Sequence, residues 1–243
     1  MKLASAHLSA LSDLARSWAP SGVAVAVTDP LAPAPPVFPE EAPAVANAVP
    51  ARRREFAAGR AAARTAMEEL GLPLQGIPGH RNRMPQWPKG VTGSISHDAT
   101  SCIAVLARTE QYRALGVDIE PAAPLPGDLL DEICVPSERA WLDKLPAGRR
   151  FLMARALFCA KEAVYKAQFP LTRLMFGFDA IELRLDEHGP GFAARFTRPV
   201  GAIRAGSIVS GLYGSAGGHM LAFVTMGAAE GSENANFPVS AIG

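Results

Sequence analysis

The chain has 243 residues, 49% of them hydrophobic and 19% charged, enough for a real core in one large domain or two of about 110 residues. With 24 Lys and Arg against 23 Asp and Glu the formal net charge is +1, which removes any bulk electrostatic case for nucleic acid or an anionic membrane surface. Any preference for polyanions must come from local clusters.

Residues 22–28 (GVAVAVT) predict a buried strand, and residues 29–50, rich in Pro and Ala, an irregular connection. Residues 51–70 predict a helix, Ala-rich and free of Pro, closed by Gly71 where a left-handed cap is favoured. Residues 71–89 carry four prolines and predict a loop. Strands are expected at 93–96, 101–107 and 115–119. After a Pro-rich break at 121–126, short helical pieces lead to a long helix over about 148–168, stopped by Pro170. Residues 181–185, 192–196, 207–213 and 219–225 alternate or run apolar, as strands do. Strand, helix, strands thus occurs twice. This predicts two similar α+β halves, 1–112 and 113–227, followed by a small, polar, flexible tail over 228–243.

Cys102, Cys134 and Cys159 form no CxxC and no Cys/His pair at metal spacing, which argues against zinc and against a disulfide framework. Residues 1–10 hold one Lys and no long apolar run, so no signal peptide is expected, and no apolar stretch approaches the roughly 20 residues of a membrane span. A cytoplasmic monomer with no membrane or nucleic-acid partner is the expectation.

In Gly116-Val117-Asp118-Ile119-Glu120, residues two apart on a strand share a face, so both carboxylates project together while Val117 and Ile119 enter the core. Adjacent carboxylates repel unless a cation or a proton separates them. Oxygen-only ligation by few side chains suits Mg²⁺, which keeps waters and accepts phosphate oxygens; a solvated strand end is the alternative. On the long helix, Leu152, Ala156, Cys159, Ala163 and their neighbours form one face. Phe151, Arg155, Phe158, Lys161, Glu162, Tyr165 and Lys166 form the other. A Glu162–Lys166 pair at i,i+4 suits a solvated stripe, but three aromatics do not, so this face is expected to look into a cleft or onto another domain.

On the Ala-rich helix Arg53, Arg60 and Arg64 lie within about 40° of one another. Like charges stacked without interleaved acids cost stability, which a bound polyphosphate would relieve through bidentate guanidinium contacts; a basic solvated face is the alternative. Gly93-Ser94-Ile95-Ser96-His97 is no nucleophile elbow, because Ser96 is not central and His97 replaces a required Gly. Ser96 and His97 serve better as hydrogen-bond donors to a phosphate oxygen.

Together these segments resemble the 4'-phosphopantetheinyl transferases of the enterobactin and surfactin type. The likeness rests on residues 53–60 (RREFAAGR), 83–88 (RMPQWP) leading to 93–97 (GSISH), 116–120 (GVDIE) and 161–166 (KEAVYK), four motifs in order over roughly half the chain. It implies a pseudo-twofold α+β protein that binds coenzyme A between its halves, uses Mg²⁺, and modifies a serine of an acyl or peptidyl carrier protein. Carried over by position, Asp118, Glu120 and Glu162 would ligate the metal. Ser96 and His97 would contact the 3'-phosphate, with Arg53, Arg60 and Arg83 around the nucleotide, and Lys161 and Lys166 would bind the coenzyme, Lys166 at the pyrophosphate. Glu162, as general base, Lys166 and Asp118 would form the catalytic set. Phe158 stands where relatives often carry Trp, and preserves an aromatic wall. Arg139, Arg149 and Arg150 are candidates for docking an acidic carrier. An Mg²⁺-dependent nucleotide or phosphoester hydrolase, and a non-catalytic coenzyme A-binding module, are the rival readings.

Overall fold

The computed structural model describes residues 2–79 and 84–227, with side chains from residue 6 onward; Arg83 and the tail expected over 228–243 lie outside the described residues. The elements in order are α1 (Lys2–Trp18), β1 (Val23–Thr28), α2 (Pro50–Glu69), β2 (Val91–His97), β3 (Cys102–Arg108), β4 (Tyr112–Pro121), the short α3 (Leu130–Ile133) and α4 (Pro136–Leu142), and the long α5 (Ala147–Thr172). Strands β5 (Ile181–Leu185), β6 (Gly191–Phe196), β7 (Ile208–Ala216) and β8 (His219–Gly227) follow. They form a three-stranded sheet in the order β1-β3-β2 and a five-stranded sheet in the order β4-β8-β7-β6-β5, antiparallel throughout. The fold is α+β, and the repeated strand, helix, strands pattern is β1, α2, β2, β3 followed by β4, α5, β5 to β8.

Two local readings change. Residues 2–18, for which no element was expected, form a helix whose Leu11, Leu14, Ala15 and Trp18 recur at helical spacing. They pack with Val25 and Val105 of one sheet and Val117 and Phe223 of the other. The long helix also does not stop at Pro170 but runs to Thr172. A proline so close to the end forfeits only one bond of the final turn. The Thr172 hydroxyl donates to Gln168 Oε1 (2.6 Å), and Arg173 closes the helix in the left-handed region at φ 59°.

The two sheets meet where β2 and β4, each the edge of its own sheet, run side by side. Serine side chains make the join: Val117 N–H donates to Ser94 Oγ (3.1 Å) and Ile119 N–H donates to Ser96 Oγ (3.3 Å). Across β4 lies α5, so close that a Cβ on Gly116 would stand 1.9 Å from the Ala163 carbonyl oxygen.

A second join lies at the β7–β8 turn, where His219 Nε2 sits 3.0 Å from Asp98 Oδ2 and its Nδ1 3.0 Å from Gly217 O. The bond to Asp98 raises the imidazole pKa above its usual 6.5, and His219 together with the Thr100 and Ser101 amides holds Asp98 down at about 2. His219 therefore contributes stability that is complete below pH 6.5 and is lost as pH rises through its folded value. Asp98 contributes stability that is present above its ordinary value of 3.8 and is lost as pH falls towards about 2. The difference in melting temperature between wild type and His219→Gln is expected to be largest near pH 5 and to narrow as pH rises above 6.5. A difference independent of pH would mean that the imidazolium contributes nothing.

Candidate active site

Strand pleating sets the first part of the site. Val117 and Ile119 are buried in the core under α1, so Asp118 and Glu120 face α5 together. On α5, Ala163 and Ala167 lie against Gly116, and this close approach brings Glu162 and Lys166 to the two carboxylates. Lys166 Nζ donates to Asp118 Oδ1 (2.6 Å) and to Ser96 Oγ (2.9 Å). Ser96 Oγ–H donates to the same Asp118 Oδ1 (2.8 Å). Arg155 donates to Glu120 Oε2 (2.9 Å) and to the Ala123 carbonyl (3.3 Å).

Three carboxylates here face two cations. Burial, and then the charge of Asp118, pushes Glu120 up to about 7, with Arg155 and Lys166 opposing. Burial and Asp118 likewise raise Glu162, with Lys166 opposing. Asp118 is itself only 4% exposed, and its Oδ2 is buried without a hydrogen-bond partner. Among the described residues no group of three His, Cys, Asp or Glu side chains stands assembled around a metal position. The donor chemistry nonetheless fits a hard divalent cation: the donors are all oxygens, one is unpartnered, and negative charge is in excess. Beneath them Cys159 donates from Sγ to Asp118 O (3.3 Å), and full burial lifts its thiol well above the ordinary range, so it is inert.

The second part is a cavity of about 760 Å³ between α2 and β2, lined by Arg52, Glu55, Phe56, Arg60, Ile95 and His97 among others. Arg60 donates from Nε to Ile77 O (2.7 Å) and lies 4.3 Å over the Phe56 ring; burial lowers its pKa to about 10. Burial, then the charge of Arg52, holds His97 below its ordinary value, with Glu55, 3.5 Å from Nδ1, opposing. A second, smaller cavity of about 160 Å³ lies beside Glu162, walled by Tyr165, Met175, Phe176 and Phe178. The aromatic stripe faces this wall: Tyr165 packs on Phe169 and Phe176, and Phe158 on Phe178.

Several expected residues stand elsewhere. Lys161, expected on the ligand-facing side of α5, is 1% exposed. Its three donors are all used, on Ile133 O (2.8 Å), Glu138 Oε2 (2.8 Å) and Phe178 O (3.0 Å), so it ties α5 to two connecting segments. Arg64 is not an uncompensated charge, because Glu41, fully buried, takes it at 2.9 Å and also accepts the Ile77 and Phe38 amides. Arg53 turns away from the cavity and donates to Ala46 O and Ala48 O, bracing the segment that forms its wall. Arg83 falls outside the described residues. Of the docking candidates, Arg139 pairs with Asp131 and Arg150 with Asp143.

Sequence reasoning passed over Arg52 and Glu55, which share the cavity with His97. Their i,i+3 spacing at the head of the arginine run was the available signal. Glu138, the partner of Lys161, had none, since nothing local marks a residue 23 positions upstream.

Residues 40–107 match the family model described as "4'-phosphopantetheinyl transferase N-terminal domain", and residues 114–211 the model described as "4'-phosphopantetheinyl transferase superfamily". The chain is similar to "4'-phosphopantetheinyl transferase Svp" of Streptomyces mobaraensis, 44% identical over 179 residues that cover 73% of this chain and 72% of that protein. It is also similar to "4'-phosphopantetheinyl transferase PptT" of Mycobacterium tuberculosis, 40% identical over 175 residues, 72% of this chain and 75% of that protein.

Proposed function

The chain belongs to the 4'-phosphopantetheinyl transferase superfamily and is an enzyme of that class; from that premise we propose that it moves the 4'-phosphopantetheine group of coenzyme A onto a serine hydroxyl of an apo acyl or peptidyl carrier protein. The serine oxygen attacks the β-phosphorus of coenzyme A, the bond from that phosphorus to the nucleotide breaks, and 3',5'-ADP leaves. One observation carries this reading. Adjacent residues of β2 face the two parts of the site, His97 the basic cavity and Ser96 the carboxylate cluster, so a nucleotide in the first delivers its pyrophosphate to the second.

Arg52, Arg60 and His97 bind the nucleotide in the cavity, with Arg83 assigned to the same side by the family motif. Lys166, held by Asp118, meets the pyrophosphate oxygens. Asp118, Glu120 and Glu162 are the residues that would hold Mg²⁺, which supplies neutralisation of charge on the pyrophosphate when bound. Glu162, raised by burial and by Asp118, is the candidate acceptor of the serine proton. The apolar cavity beside it suits the pantetheine arm. No helix among the described residues is long and apolar enough to cross a membrane; the proposed setting is the cytoplasm, with the enzyme a monomer.

Intact-protein mass spectrometry of an apo carrier incubated with coenzyme A, Mg²⁺ and the enzyme tests the reading. The expected result is a mass gain of one phosphopantetheine on the carrier with release of 3',5'-ADP. Release of nucleotide or phosphate with an unmodified carrier would mean a hydrolase, and coenzyme A binding without release a binding module.

A further inference from the structure

The Ser96 hydroxyl has one proton to donate and two lone pairs to accept with, and all three are committed. The proton goes to Asp118 Oδ1 (2.8 Å), while Lys166 Nζ (2.9 Å) and the Ile119 amide (3.3 Å) donate to the oxygen. The residue is 4% exposed. No donor is left for a phosphate oxygen, so a direct contact with the nucleotide's 3'-phosphate, which position in the motif suggests, would have to break the bond to Asp118.

We propose that Ser96 is a positioning residue that acts through Asp118 and Lys166, not a phosphate ligand. Both donors to Asp118 converge on Oδ1. This fixes the rotation of the carboxylate and presents the unpartnered Oδ2 as the oxygen open to a cation. By holding the Lys166 ammonium as well, the same hydroxyl sets the spacing between the cation that meets the pyrophosphate and the carboxylate that would meet the metal. Because Ser96 belongs to the half that builds the nucleotide cavity, it aligns the carboxylate cluster of the C-terminal half to the β2 strand that carries His97. The inference rests on the carboxylate site of the proposed function.

Ser94 supplies the control. It makes the same kind of join to β4, accepting the Val117 amide at 3.1 Å, and among the described residues it makes no hydrogen bond to the carboxylates. Ser94→Ala and Ser96→Ala are expected to lower the melting temperature by similar amounts. Calorimetric titration of Mg²⁺ into the coenzyme A-bound protein is expected to show affinity about 10-fold weaker in Ser96→Ala and within about 2-fold of wild type in Ser94→Ala. In Ser96→Ala kcat falls with the metal affinity, while KM for coenzyme A and the preference for coenzyme A over its 3'-dephospho form stay within about 2-fold. Metal affinity in Ser96→Ala equal to that of Ser94→Ala overturns the proposal, as does a lost preference for the 3'-phosphorylated ligand. A wild-type enzyme that binds Mg²⁺ and modifies the carrier leaves the functional reading standing in either case. A wild type that does neither removes both.

Discussion

Asp118→Asn is expected to lower transfer to an apo carrier by about 10²–10³-fold while the chain stays folded. A buried carboxylate oxygen with no partner, which Oδ2 is, costs about 1–3 kcal/mol, so stability alone does not explain this arrangement. The Asp118 charge also adds, after burial, to the rise of Glu120 to about 7 and to the rise of Glu162. Removing it relieves that repulsion and offsets part of the lost pair with Lys166, whose side chain is 27% exposed and so partly screened. The melting temperature is therefore expected to move by no more than about 3 °C, while Mg²⁺ affinity and turnover fall together. Transfer near the wild-type rate would sink the assignment of Asp118 to the metal. A collapse of the melting temperature in step with activity would instead make Asp118 a structural residue.

The second large effect is expected from Gly116→Ala. The added Cβ would meet the Ala163 carbonyl oxygen at 1.9 Å, Ala167 N at 2.9 Å and the Ala163 carbonyl carbon at 3.0 Å. All three are backbone atoms, so no rotamer change makes room and the helix itself must move. Overpacking of this kind costs about 3 kcal/mol, which in a chain of this size lowers the melting temperature by roughly 5–10 °C. The catalytic loss is expected to be larger in proportion. Glu162 precedes Ala163 and Lys166 precedes Ala167, so any shift that relieves the clash moves both away from Asp118 and Glu120. A misplacement of about 1 Å costs on the order of 10²-fold in rate. Assays at a temperature where circular dichroism shows the variant fully folded separate the two effects. Wild-type transfer there would mean that the close approach of α5 to β4 does not position the site.

Gly116 also marks what a linear reading reaches. The motif GVDIE announces its carboxylates through alternation alone, because a strand's side chains alternate whatever surrounds them; but why it opens with Gly is visible only when α5 lies across it. The aromatic stripe on α5 was legible in the same way, since 3.6-residue periodicity placed Phe158 and Tyr165 beside Glu162 before their partners, Phe178 and Phe176, could be named. Periodicity failed at Lys161. It put the side chain on the ligand-facing side, and the fold buries it on Glu138, an acid on α4 that only packing brings near. The three-arginine face, of which Arg60 does line the cavity, failed at Arg64 for the same reason. Arg64 meets Glu41 from the irregular connection before α2, 23 positions upstream and with no period to follow.

The carboxylates with which the site begins, Asp118, Glu120 and Glu162, were therefore determined by the sequence on its own, together with the alternation of α and β segments, because both depend on backbone repeats two or 3.6 residues long. The tertiary structure alone decided which cation meets which carboxylate, that Lys161 serves the core, that Arg52 and not Arg53 lines the cavity, and that Ser96 is spent on Asp118 and Lys166. Those outcomes turn on charges and hydroxyls from segments far apart in the chain. Their partners are chosen by which surfaces bury together and which donors remain unpaid there, and no local repeat encodes that choice.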